Sequence, residues 1–308
     1  MKSNPHFTLD CSYKFGTEEA YYSLNGSAVP NKNGKGGDAW AGDVFREVMR
    51  HEKDWGVLML TFTGIDKVLH SLGEHDEKPP YKNKKAKVHL KQALEVADQQ
   101  LGKVLDYLET NNLMKETTLV VTADHGGQVN KKFHGPSAGY WAKLQNRGRI
   151  IGPSPITSNL AKLGNIKAIR SNTAIYVWLE KESDSSVKQI KDYFSKIPEV
   201  IEVYKKQKDH FLRIHQNFKS IDEKQIKWAK TYNQELVNSF ASKGGPDVVA
   251  LLEEGMGFGV IGQHGGAQET SQRISLFFYT PGIKPKTISN PISYSEIKPM
   301  IIKAMGLN

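Results

Sequence analysis

Cysteine is almost absent from this sequence, since Cys11 is the only one in 308 residues. A single cysteine excludes an internal disulfide, and it also excludes metal sites that are built from several thiolates. Any metal ion that binds to this chain must therefore be held by imidazole nitrogens and carboxylate oxygens.

Long apolar runs are also absent. No stretch reaches the roughly 20 apolar residues of a membrane-spanning helix, and the opening MKSNPHFTLD lacks the apolar core of a signal peptide. The formal charge is +9, but the lysines are spread along the chain. They are not interleaved with arginine and aromatic residues as in nucleic-acid readers. We therefore expect a solvated basic surface, no transmembrane segment and no specific nucleic-acid binding.

Helical and strand patterns alternate in the first half of the chain. Residues 39–53 and 86–111 have the apolar spacing of amphipathic helices. WGVLMLTF, at residues 55–62, and TTLVVTA, at residues 117–123, are short apolar runs typical of buried strands. This order predicts an α/β fold in which helices flank a mostly parallel sheet.

A second pattern predicts an inserted α+β lobe over residues 165–243, where a β-α-β unit precedes a polar helical stretch. The α/β core would then comprise residues 38–164 and 244–308, with the runs PDVVALLEE and ISLFFYTPG continuing its sheet. Residues 1–37 have little periodicity and end in NKNGKGG, so they are predicted to be irregular.

Three short segments place acids and histidines just after predicted strands. TFTGIDKVLHSLG contains Asp66 and His70, whose spacing puts them on one face of a helix. TADHGG contains Asp124 and His125, and VIGQHGGAQE contains His264. Each residue alone has an ordinary explanation, such as a helix cap at Asp66. Because ligands gather at the carboxyl ends of strands in open α/β sheets, the segments together predict a metal site.

The predicted donor set consists of two carboxylates and three imidazoles, which suits Zn²⁺, with Mn²⁺ as the second candidate. Adjacent acid and histidine ligands are typical of sites where two ions lie about 4 Å apart. The sequence therefore predicts five metal ligands: Asp66, His70, Asp124, His125 and His264.

The ordered motifs D-x-x-x-H, D-H-G and H-G resemble those of the alkaline phosphatase superfamily, most closely its type I phosphodiesterase/nucleotide pyrophosphatase branch. The resemblance covers residues 40–165 and 245–308. It implies an alkaline phosphatase-like α/β fold and a hydrolase of phosphoric esters, with a small phosphate ester such as a nucleotide as substrate. It also implies in-line displacement through a covalent phospho-enzyme, and secretion or a periplasmic location for the complete protein.

The resemblance implies two zinc ions. If the family's ligand roles are transferred to the matching residues, Asp66, His70 and His264 would hold one ion. Asp124 and His125 would supply most of the ligands of the other ion. The family pattern begins earlier, with a strand that ends in an aspartate ligand and with a threonine or serine nucleophile. No such segment is recognisable before the first ligand pair, so the catalytic nucleophile is left unknown.

We therefore expect this chain to be the carboxyl-terminal part of a larger enzyme, whose amino-terminal half could be a separate chain. Two alternatives stay open. One is a sulfatase or phosphoglycerate mutase of the same superfamily, because the segment that distinguishes them would lie in the earlier half. The other is a non-catalytic metal-binding remnant.

Overall fold

The computed structural model describes most of the chain, namely residues 37–52, 54–71, 84–130, 132–133, 155–258 and 262–307. The predicted irregular segment 1–37 lies, apart from Gly37, outside the described residues. Among the described helices, none has the length and apolar character needed to cross a membrane.

Short strands and helices of very different length make up the described structure. The helices are α1 (Gly37–His51), α2 (Gly64–Ser71), α3 (Lys84–Thr110), α4 (Pro155–Ala161), α5 (Asp184–Phe194), α6 (Glu223–Trp228), α7 (Gln234–Asn238), α8 (Glu269–Gln272) and α9 (Tyr294–Ala304), with a 3-10 turn at Leu113–Lys115 and a π-helical turn at Ala229–Asn233. The strands are β1 (Leu119–Val121), β2 (Gln128–Val129), β3 (Lys132–Phe133), β4 (Ile166–Ser171), β5 (Ala174–Leu179), β6 (Val200–Gln207), β7 (His210–Gln216), β8 (Val248–Leu252), β9 (Met256–Gly257), β10 (Gly262–Gln263) and β11 (Phe277–Tyr279).

The chain forms two compact units. The first contains the described parts of Met1–Val68, Lys85–Ala123 and Ser275–Asn308, and the second contains those of Leu69–Lys84 and Asp124–Ile274. The division falls inside α2, between its fifth and sixth residues.

Two amphipathic helices form the core of the first unit. Met49 of α1 packs with Val104 and Leu108 of α3 in a buried cluster. The Tyr107 hydroxyl of α3 donates a hydrogen bond to the Met49 carbonyl oxygen at 3.1 Å. Both helices are predicted from apolar spacing alone, and the structure confirms them with small shifts of their ends. The predicted strand TTLVVTA is also confirmed, as β1, which pairs antiparallel with β11.

The predicted strand WGVLMLTF is wrong in the described structure. Residues 54–63 form neither helix nor strand. Leu58 packs against the α1–α3 cluster, but Val57 and Met59 are 74% and 87% exposed. An apolar run makes a buried strand only when a neighbouring strand satisfies its backbone groups, and no described strand pairs with this run.

A five-stranded antiparallel sheet is the core of the second unit, with the strand order β4-β5-β8-β6-β7. Its central strand β8 alternates between two apolar clusters. Val248 and Ala250 face a cluster that includes Ile190 of α5, and Val249 faces a cluster that includes Val237 of α7. The predicted β-α-β unit is confirmed as β5, α5 and β6.

Strand direction differs from the expectation of a mostly parallel sheet. Helices and strands succeed each other as expected of an α/β protein, but among the described pairs only β3 and β9 run parallel. The run VVALL suggests a parallel strand because parallel sheets are usually covered on both faces. Here the two apolar clusters cover both faces of an antiparallel sheet.

The central position of β8 also bears on the predicted lobe. Residues 165–243 supply four strands of the five-stranded sheet, and residues 248–252 supply the fifth. The sheet therefore continues past the predicted boundary at residue 243, since it needs β8 between β5 and β6. The division into core and lobe stays a prediction.

Candidate metal centre

Helix α2 carries the first predicted ligand pair. Asp66 lies in its first turn and His70 in its last, and both side chains are half-buried. Residues four apart on a helix lie one above the other on the same face. Asp66 and His70 therefore share one face of α2, and their role as ligands of one ion stays a prediction.

The beginning of α2 is fixed by a buried aspartate that sequence reasoning did not identify. Asp38 is 2% exposed. Its carboxylate accepts hydrogen bonds from the backbone N–H of Thr63 at 3.0 Å and of Gly64 at 2.9 Å. Burial raises the pKa of Asp38 above its ordinary value, although these two bonds act in the opposite direction. The sequence does place Asp38 between a glycine-rich stretch and an apolar helix, where an aspartate often caps a helix. It does not show that the helix whose start Asp38 holds is α2.

Replacing Asp38 by alanine should loosen α2. Two backbone N–H groups, that of Gly64 buried and that of Thr63 partly buried, would lose their acceptor, which should cost about 2 kcal/mol of local stability. Hydrogen exchange of the amides between Gly64 and Ser71 would measure this as faster exchange. The Asp43→Ala variant is the control, because Asp43 lies on the same helix α1 as Asp38 but makes only partly exposed ion pairs. Equal exchange in the two variants would show that Asp38 does not hold α2.

Three of the predicted ligands meet in the second unit, and we call His70, His125 and His264 the histidine cluster. The Nε2 atoms of His70 and His264 are 3.1 Å apart. The rings of His125 and His264 are stacked, with centroids 3.6 Å apart and an interplanar angle of 13°. All three side chains are half-buried. The structure thus brings together histidines that are widely separated in sequence.

Strand pairing explains why His125 and His264 are neighbours. β2 begins shortly after His125 and pairs antiparallel with β10, which ends at the residue before His264. Gly262 of β10 packs so closely on the end of α2 that a β-carbon there would collide with the Leu69 carbonyl oxygen. The glycine therefore lets β10 approach the turn of α2 that carries His70.

The backbone sets the orientation of the His125 ring. Its Nδ1 lies 2.8 Å from the carbonyl oxygen of Gly126, which can only accept a hydrogen bond, so Nδ1 carries the proton. In the neutral ring this leaves the lone pair on Nε2, the arrangement found in histidines that bind metals. The same Nε2 lies 3.4 Å from a carboxylate oxygen of Asp124, whose side chain is 79% exposed.

The spacing of ring nitrogens fits a metal ion. Two nitrogens on one tetrahedral zinc, each about 2.0–2.1 Å from the ion, lie about 3.3 Å apart. The Nε2 atoms of His70 and His264 are 3.1 Å apart, close to that value. The same separation also allows a ring–ring hydrogen bond when one nitrogen carries a proton. The cluster can therefore hold an ion or persist without one.

Behind His264 lie two residues that the sequence prediction missed, Tyr176 of β5 and Trp228 of α6. The Tyr176 hydroxyl donates to the Gly265 carbonyl oxygen, and the Trp228 indole N–H donates to the Ala267 carbonyl oxygen. Burial raises the pKa of the Tyr176 hydroxyl, which therefore keeps its proton at neutral pH. Buried tyrosine and tryptophan usually find such a partner, but the sequence does not reveal which one.

Comparison with known proteins identifies what the chain is similar to. The family model for type I phosphodiesterase / nucleotide pyrophosphatase matches residues 12–258, a segment that contains the first two ligand pairs and ends before His264. No curated protein matches the sequence.

Solved structures that resemble most of this chain include two phosphoric-ester enzymes. The alkaline phosphatase PafA, solved as a mutant, is 15% identical with a TM-score of 0.57 over 88% of this chain. Murine ectonucleotide pyrophosphatase / phosphodiesterase 5, solved as an inactive variant with AMP, is 13% identical with a TM-score of 0.55 over 92% of this chain. This chain spans 49% and 65% of those two chains. At such identities the likeness confirms the predicted alkaline phosphatase-like α/β fold.

Proposed function

Since the chain belongs to the type I phosphodiesterase / nucleotide pyrophosphatase family, we propose that it carries the metal-binding part of a phosphoric-ester hydrolase. Its substrate would be a small phosphate ester such as a nucleotide, and the complete protein would work in a secreted or periplasmic location. The observation that carries the proposal is the histidine cluster, with two Nε2 atoms 3.1 Å apart.

We assign Asp66, His70 and His264 to one zinc ion, and Asp124 with His125 to the second. The position of Asp66 supports this assignment, because it lies one helical turn before His70 on the same face of α2. The stacked rings of His125 and His264 support it too. Their centroids are 3.6 Å apart, so a ligand assigned to the first ion lies directly beside a ligand assigned to the second.

Bound zinc would activate a hydroxyl nucleophile and stabilise negative charge on the phosphoryl oxygens. The residues of this chain have more limited tasks. The Gly126 carbonyl fixes the His125 tautomer, and Asp38 holds the start of the helix that bears His70. Two protein ligands are too few for tight zinc binding, so the second ion should bind more weakly than the first.

Metal content and hydrolysis, measured together on the purified chain, test the proposal. We expect about one tightly held zinc per chain, in keeping with three protein ligands at the first site. We expect no turnover of a chromogenic phosphodiester, because no nucleophile is identified. A chain that holds no zinc at micromolar concentrations would contradict the proposal. Turnover that a chelator abolishes would place a nucleophile within these 308 residues and would exclude the non-catalytic remnant.

Substrate class needs a separate comparison. A phosphate monoester, a phosphate diester and a sulfate ester should be offered to this chain together with an amino-terminal half from a relative. Preference for the diester would support the phosphodiesterase assignment. Preference for the sulfate ester would favour the sulfatase alternative.

A further inference from the structure

The loop that follows the His264 ring, residues 264–268, is held by side chains through its carbonyl oxygens. Three consecutive carbonyls each accept one hydrogen bond. Gly265 accepts from the Tyr176 hydroxyl, Gly266 accepts from Gln272 Nε2 at 2.7 Å, and Ala267 accepts from Trp228 Nε1 at 2.7 Å. The three donors come from β5, α8 and α6, so separate elements hold one short loop.

The far end of this loop is anchored as well. Gln268 is 6% exposed, and its Nε2 donates to the carbonyl oxygens of Thr173 at 2.7 Å and Leu252 at 3.1 Å. The loop sequence HGGAQ would otherwise be mobile, because two glycines have wide conformational freedom and Gly265 adopts a φ of +98°. External hydrogen bonds are therefore what selects one conformation for the residues after His264.

We propose that Tyr176 and Trp228 are positioning residues that hold the His264 ring where a metal ion binds, so that the five-stranded sheet and α6 are needed to preorganise the metal centre. This inference rests on the proposed function for the metal itself, whereas the position of the ring can be tested without metal. Neither side chain would touch the ion, since both act on the backbone beyond His264.

Physical reasoning supports a role in positioning rather than in packing alone. A ligand nitrogen must lie about 2.0–2.1 Å from zinc, so a small displacement of His264 would weaken binding. Groups that orient metal ligands typically change affinity about 10–100-fold when they are removed. Tyr176 is well placed for this task because β5 is paired on both sides, with β4 and with β8.

The test uses substitutions that remove one donor and keep the ring. Tyr176→Phe and Trp228→Phe remove the two donors, separately and together. Tyr193→Phe and Trp178→Phe are matched controls in the same unit. The Tyr193 hydroxyl donates to the Ile156 carbonyl oxygen at 3.0 Å, and the Trp178 indole donates to the Gly244 carbonyl oxygen at 3.0 Å. Each control therefore loses the same kind of hydrogen bond elsewhere.

Two readouts on the full chain separate the positioning role from the metal proposal. In the metal-free chain, nuclear Overhauser contacts between the stacked rings of His125 and His264 should weaken in the positioning variants and persist in the controls. Zinc affinity, measured by competition with a chromophoric chelator, should fall about 10-fold in each positioning variant, and further when the two are combined.

Unchanged ring contacts in the double variant would overturn the inference, and so would an equal loss in the controls. If the wild-type chain bound no zinc but the ring contacts still depended on Tyr176 and Trp228, the positioning role would stand. The proposed metal function would then fail on its own.

Discussion

The Glu202→Ala variant should lose about 2–5 kcal/mol of unfolding free energy, a large share of the stability of an ordinary domain. The expected loss is large because Glu202 is a fully buried acid, at 0% exposure, on strand β6, which pairs with β8 on one side and β7 on the other. Removing the carboxylate leaves two buried donors, Tyr204 and Asn233, without an acceptor at a cost of about 1–3 kcal/mol each, whereas Arg213 is 40% exposed and can turn to water.

Four donors converge on the Glu202 carboxylate. One oxygen accepts from Arg213 Nη1 at 2.8 Å and Gln216 Nε2 at 3.3 Å, and the other accepts from the Tyr204 hydroxyl at 2.9 Å and Asn233 Nδ2 at 2.7 Å. The hydrogen bond to Glu202 raises the pKa of the Arg213 guanidinium. The pKa of the Tyr204 hydroxyl is raised mainly by burial and, to a smaller extent, by the neighbouring Glu202. Alanine would leave Tyr204 and Asn233 without these buried bonds, so the cost extends beyond the ion pair.

Urea unfolding followed by circular dichroism would measure the loss. Glu202→Gln should cost less than Glu202→Ala, since an amide oxygen still accepts from some of the donors. Glu180→Ala is the control, because Glu180 is an exposed glutamate next to β5 and should shift stability by no more than about 0.5 kcal/mol. A Glu202→Ala loss below about 1 kcal/mol would show that water or a rearranged Arg213 replaces the network.

Sequence reasoning found the ligand-bearing segments because each combines a local pattern with a chemical type. The spacing of Asp66 and His70 predicts a shared helix face, and TADHGG follows an apolar run that does form β1. It could not show that the His125 and His264 rings are stacked, because that contact depends on the pairing of β2 with β10. A pairing between two-residue strands leaves almost no periodicity in the sequence.

The prediction failed where a pattern depended on partners distant in sequence. WGVLMLTF has the composition of a buried strand, but no described strand pairs with it, and its Val57 and Met59 side chains are exposed. VVALL does form a strand, and its antiparallel direction is set by its neighbours β5 and β6. Asp38, Tyr176 and Trp228 were missed for the same reason, since each acts on the backbone of a distant segment.

His264→Ala should weaken zinc binding by more than about 100-fold, because even the loss of a group that only orients a ligand costs about 10–100-fold. His264 is central to the histidine cluster, with its Nε2 next to His70 and its ring against His125. Its removal therefore affects both proposed ions. The half-buried ring should contribute only about 1 kcal/mol to folding, so the metal-free variant should remain folded.

Zinc titration of the purified variants would measure the loss of affinity. Two further variants show whether the loss is specific to His264. His210→Ala, the loss of an exposed histidine on β7, should leave zinc affinity unchanged. Asp124→Ala should reduce only the weaker zinc binding, because Asp124 is 79% exposed and is assigned to the second ion alone. Equal losses from Asp124→Ala and His264→Ala would mean that one ion is shared by both segments. Wild-type affinity in His264→Ala would place the zinc outside the histidine cluster and would contradict the ligand assignment.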